Sequence, residues 1–253
     1  MKRFFLFLIF GALAYGGWKY RDQIEGLYKK VQEQQAGKTQ AVPDPERYEE
    51  LKQELELKRS GLARRYNAAR TAGEILAVQT DAKETLENNL PKLMRCWLGT
   101  TWDFNGTSQV PGEGKIACGY FVSTVLRDAG FRLERIRLAQ QPSQNIIATF
   151  LPRSQMHIEA GMNYDRFLEK MKARGPGIRI VGLDRHVAFI VVQKDGEIRF
   201  IHSDGGNAQQ VVDQDQESAH SLRKSKYRVT GNITRSDDLI HQWLTKEALK
   251  TVR

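Results

Sequence analysis

The stretch His186-Val-Ala-Phe-Ile-Val-Val, followed by Gln193-Lys-Asp-Gly and then Glu197-Ile-Arg-Phe-Ile-His202, constrains the fold more than any other part of the chain. His186–Val192 is rich in β-branched residues and reads as a strand. Asp195-Gly196 is a strong hairpin-turn signal, because both residues tolerate the backbone conformations such turns need. Glu197–His202 reads as the returning strand. A hairpin sets the start of its first strand beside the end of its second. It therefore brings His186 and His202 together, although 16 positions separate them.

Further short strands are predicted at Ile178–Val181, Gln209–Val212 and Tyr227–Thr230. Upstream of the strands the apolar period is helical. Ile116–Ala129 carries Phe121, Val122, Val125 and Leu126 on one stripe and stops at Gly130. Arg65–Leu98 carries Ile75, Leu76, Val78, Leu86, Leu90, Leu93 and Met94, with Pro91 expected to kink or restart it. Asn163–Lys172 reads as a helix bounded by Gly175-Pro176-Gly177, and Leu239–Thr251 as a closing helix. Arg132–Arg137 is a short amphipathic element of either type. Helices first and an antiparallel sheet after them predict an α+β domain over residues 72–253.

Two segments precede it. In residues 1–20, Lys2 and Arg3 stand before an apolar run from Phe4 to Ala14, the pattern of an export signal. Ala12-Leu13-Ala14 offers a cleavage site, and the run is a few residues short of a comfortable membrane span. A cleaved signal and a retained N-terminal anchor are both compatible with it. Either implies an exported protein, periplasmic or held at the inner membrane. Residues 21–71 are rich in Lys, Glu and Gln and are interrupted at Gly37–Pro45. Their sparse apolar positions, Leu51, Leu55 and Leu57, predict a solvated stalk or a helix that docks a protein partner. The net charge of +9 favours anionic neighbours. Its basic residues are scattered rather than blocked together, which argues against nucleic acid.

There are two cysteines, Cys96 and Cys118, with no CxxC pair and no close HxxxH pair. That pattern argues against a structural zinc site or a metal enzyme, and no cofactor is implied. The cysteines could form one bridge, or Cys118 could be a nucleophile. It lies where a glycine-containing loop, Gly99–Gly114, enters an apolar helix. The first turn of a helix stabilises a thiolate, and the amides there are natural oxyanion donors. Gly119 leaves room for substrate beside the backbone. The loop carries Trp102, Asp103 and Phe104, and its two rings are a substrate platform or else core filling beneath the loop. His186 is the candidate base and His202 its orienter, with Asp204 and then Asp184 as other candidates for that second role. The expected catalytic set is Cys118, His186 and His202. Trp102, Asp103, Gly119 and Asp204 are expected to contact substrate.

IACGYFVSTVLRDAGF followed by RHVAFIVVQKDGEIRFIHS resembles the papain-like cysteine peptidases of bacterial cell-wall turnover, the NlpC type. Cys118, Gly119, Phe121 and Val122 match the nucleophile motif. His186-Val187-Ala188 matches the base strand, and His202-Ser203 the third polar position. Gly99, Trp102 and Gly106 fall in the family's glycine-aromatic loop. The similarity covers residues 86–206 and implies a papain-like fold that hydrolyses an amide of peptidoglycan stem peptides. Where the family usually has Asp before its cysteine and Ser after it, this chain has Ala117 and Gly119. The segments before Cys118 and before His186 are also longer. The related CHAP amidases share the same order of Cys and His. A papain-like protease, deamidase or acyltransferase with another protein or lipid substrate fits the same residues, as does a non-enzymatic envelope protein with a bridged or buried Cys118.

Overall fold

The computed structural model describes residues 41–252. Two long helices come first, α1 (Pro45–Ala68) and α2 (Ala72–Arg95). α3 (Cys118–Asp128) follows the glycine-rich loop. Then come β1 (Arg132–Leu133), α4 (Arg135–Ala139), α5 (Ser143–Phe150), β2 (Met156–Ala160) and α6 (Tyr164–Ala173). β3 (Gly177–Leu183), β4 (His186–Val192), β5 (Ile198–Asp204) and β6 (Gln210–Asp215) are consecutive. α7 (His220–Lys224), β7 (Tyr227–Asn232), α8 (Asp237–Thr245) and β8 (Ala248–Leu249) complete the chain. The fold is α+β. Its six-stranded sheet is antiparallel throughout, in the order β2-β7-β3-β4-β5-β6. β1 and β8 form a separate parallel pair, so the expected closing helix ends at Thr245 and its tail is extended.

β3 and β4 are buried on both faces, which explains why HVAFIVV is apolar without alternation. Val187, Phe189 and Val191 face one core, with Phe121 of α3 edge-on to Phe189 at 5.9 Å. Ala188, Ile190 and Val192 face a second core under α6, built on Tyr164, Phe167, Leu168 and Met171. Each buried Phe contributes about 2–3 kcal/mol through the water it leaves behind. In the β4–β5 connection Gly196 takes positive φ and Gln193 N–H donates to the Glu197 carbonyl at 2.8 Å.

The boundary expected at residue 71 is corrected. α1 is no free stalk: Tyr48, Leu51, Leu55 and Leu62 lie on one stripe, at helical spacing, and enter the same core as α2, α3 and α8. Tyr48 packs edge-on to Trp97 at 5.5 Å and donates to Asp128 at 3.0 Å. Asp44 caps the helix by accepting from Arg47 N–H, with Pro45 in its first turn. The one compact unit that can be described here begins at Val42. Leu57, expected on the apolar side, is exposed. α2 opens with a reciprocal Thr71–Glu74 capping box, and Pro91 lies inside it rather than restarting it.

Among the described residues no helix is long and apolar enough to cross a membrane. The expected inner-membrane anchor therefore finds no counterpart there. The leader read at residues 1–20, and the charged stretch up to residue 40, lie outside the described residues.

Candidate functional site

Cys118 is the first residue of α3. Ala117, at the cap, supplies no side-chain acceptor, and the first helical bond is Phe121 N–H to the Ala117 carbonyl. The amides of Cys118, Gly119 and Tyr120 are thus left outside the helical ladder. Those of Cys118 and Gly119 face the thiol, and so does Val187 N–H of β4.

The sheet opens to receive that thiol. Pairing between β4 and β5 runs from Val192↔Ile198 to Phe189↔Ile201 and no further. Beyond that point Cys118 comes from the α3 face to the Val187 amide. His186 and His202 sit on the other face, where Phe200 stacks on His202 with centroids 4.2 Å apart. Ser203 donates to the Ile116 carbonyl at 2.7 Å and ties the end of β5 to the chain entering α3.

His186 Nε2 lies 2.8 Å from His202 Nδ1, the juxtaposition the hairpin predicts. His202 Nε2 lies 3.0 Å from Gln214 Oε1. This row has a consistent proton assignment. A carbonyl oxygen accepts, so His202 carries its proton on Nε2 and presents Nδ1 as an acceptor. His186 then donates through Nε2–H, and its own Nδ1 holds a lone pair. Burial pushes His186 down to about 3, with the neighbouring His202 adding to the fall and Asp204 opposing it. Burial also lowers His202. Both rings are neutral at pH 7.

Burial pushes the Cys118 thiol up, against the three amides that favour its anion. The expectation that the helix start would leave a thiolate is corrected: in the resting cleft, loss of water outweighs the amides. Cys118 and His186 border one cleft of about 880 Å³, but no hydrogen bond joins them among the described residues. Cys96 and Cys118 are both free, so the bridge is absent.

Trp102 and Phe104 both line this cleft, and neither belongs to the buried core. Phe104 is 79 % exposed. Trp102 lies against Gly205, where any Cβ would strike its ring. Asp204 also lines the cleft, but its carboxylate accepts from Gly206 and Ala208 N–H at 2.9 Å each, capping the turn after β5 rather than orienting His186. Asp184 is committed to Ser225 and to Lys226 N–H. Asp103 is not among the residues that line the cleft; it accepts from Asn105 N–H and pairs with Lys115 at 3.1 Å. Gly119 has a structural role as well. It lines the cleft, and the Ala139 carbonyl of α4 lies where its Cβ would be, so the missing side chain also serves packing.

Sequence reasoning missed Gln214. Ending the predicted strand at Val212 left it out, whereas β6 continues to Asp215. Phe200 pairs with Gln214 and His202 with Val212, so strand alternation sets Gln214 diagonally beside His202 on one face. Arg135 was also missed. Its buried guanidinium donates to Thr124 and to the Thr107 and Ser108 carbonyls, and lies over the Tyr120 ring. It pins the glycine-rich loop to α3. Gly106 allows the loop to pass against Ile116, whose backbone a Cβ would strike.

The chain matches no family model, and no curated protein matches it.

Proposed function

We propose that this protein is a cysteine-dependent amide hydrolase of the papain-like, NlpC type, acting on peptidoglycan stem peptides. The observation that carries the reading is the row Gln214–His202–His186, which is satisfied with His186 Nδ1 unprotonated, on a residue that lines the cleft holding Cys118. The cell-wall substrate rests on the sequence resemblance.

The sulfur attacks the amide carbon while His186 Nδ1 takes the thiol proton. His186 Nε2–H stays on His202 Nδ1, which steadies the imidazolium as it forms. The amides of Cys118 and Gly119 stabilise the tetrahedral oxyanion. The proton then passes to the departing amine as the C–N bond breaks and a thioester remains. Water, deprotonated by His186, attacks the thioester; the acid leaves and the thiol is restored. The resting thiol and imidazole are both neutral, so charge separates only as the oxyanion develops. Hydrogen bonds at such sites commonly tighten only once substrate is bound, in keeping with the absence of a resting Cys118–His186 bond.

Purified peptidoglycan is digested with the protein and with Cys118→Ala, and the products are resolved by mass. New free amines and carboxyls should appear in stem peptides only with the wild type, with a rate loss of at least about 10³-fold in the variant. Identical product profiles would refute the hydrolase.

A further inference from the structure

The mouth of the cleft holds positive charge that the hydrolysis leaves unused. Arg185, immediately before His186 in the β3–β4 turn, lines it, as does Lys224 of α7. Both are exposed, and among the described residues neither forms an ion pair. The acids that might neutralise them are engaged elsewhere. Asp184, next to Arg185 in sequence, accepts from Ser225 Oγ and Lys226 N–H. Asp204, the only acid lining the cleft among the described residues, holds the Gly206 and Ala208 amides.

We propose that Arg185 and Lys224 form an anion subsite that receives a carboxylate carried by the acyl substrate of Cys118. The proposal rests on the reading of Cys118 as the attacking group. On that reading the sulfur attacks a carbonyl carbon, so the ligand is an acyl compound. The guanidinium fork matches a planar carboxylate with two parallel hydrogen bonds, and the lysine adds a point charge. Two exposed cations without protein counter-ions have no ion pair to break when such a group arrives, whereas a paired arginine would first have to leave its partner. Placing both beside a concave, partly apolar wall strengthens their field over what open solvent would allow.

The test is alkylation of Cys118, followed by mass spectrometry, with two reagents that differ only in charge. Iodoacetyl-glycine carries a carboxylate one residue beyond the reacting carbon, and iodoacetyl-glycinamide carries an amide there. Their rate ratio on the protein, divided by the ratio on free cysteine, cancels the intrinsic reactivity of the thiol. A normalised preference of about fivefold for the acid is expected at low salt. It should fall to about one in Arg185→Gln/Lys224→Gln, and also in about 1 M salt, where the Debye length is only about 3 Å. A wild-type ratio equal to that of free cysteine would overturn the subsite. So would a preference that survives the double substitution. The readout needs no amide cleavage. A cation-dependent ratio in a protein inert toward peptidoglycan would sink the hydrolase and keep the subsite, and cleavage without a charge preference would do the reverse.

Discussion

Replacing His186 by Gln should flatten the acid side of the stability profile. In the folded protein His186 is held down to about 3, while in the unfolded chain it returns to about 6.5. Between these values the unfolded state binds a proton that the folded state refuses. Stability therefore falls as pH drops through the unfolded pKa, and the loss continues until the folded ring also protonates. From pH 7 to pH 5 an unfolded histidine of pKa about 6.5 gains about 2 kcal/mol from protonation, while a folded one near 3 gains almost nothing. Part of the ring meets the cleft, so a loss of about 1–2 kcal/mol is expected from this residue. Urea unfolding of wild type and His186→Gln at both pH values isolates it as a difference of differences, in which any fixed cost of the substitution cancels. His202, also lowered by burial, keeps its own share in both proteins. An equal pH 7-to-5 loss in the two proteins would refute the neutral, buried His186.

The raised thiol has its own signature: alkylation of Cys118 by iodoacetamide should climb through pH 9 and beyond, later than free cysteine, and a plateau below pH 7 would mean a standing thiolate. Gln214→Leu removes the acceptor that holds the His202 proton on Nε2; kcat should fall about tenfold or more with KM little changed, and Gln214→Glu, which still accepts, should recover much of it. Gly119→Ala drives a methyl into the Ala139 carbonyl and should cost about 1–3 kcal/mol in urea unfolding; a neutral outcome would show that α4 can move away freely.

Much of the sheet was legible because its signals are local. β4 begins and ends where its apolar run does, and the returning strand differs by a residue or two at each end. β2 was missed: Met156–Ala160 alternates apolar and polar residues over only five positions, and its burial does not follow them, with Glu159 buried and Ile158 exposed. α1 was misread because a long charged helix shows the same thin stripe whether it stands alone or packs through it. Arg59 makes the point: it is buried, yet its guanidinium reaches the Trp243 and Leu244 carbonyls, a use of charge that hydropathy counts as solvent-facing.

By itself the sequence determined the α+β order, the helix that starts at the Cys118 loop, and the meeting of His186 with His202. Each follows from local periodicity or from a hairpin's return, and so is written into neighbouring residues. Only the tertiary structure decided what these groups can do. It ended the β4–β5 pairing at Phe189↔Ile201, and beyond that point Cys118 and His186 border one cleft. It also brought Gln214 beside His202 and laid the Ala139 carbonyl over Gly119. Burial then kept both the thiol and the imidazoles neutral. Protonation depends on how much water reaches a group and on which atoms replace that water, and those atoms come from segments far apart in the chain.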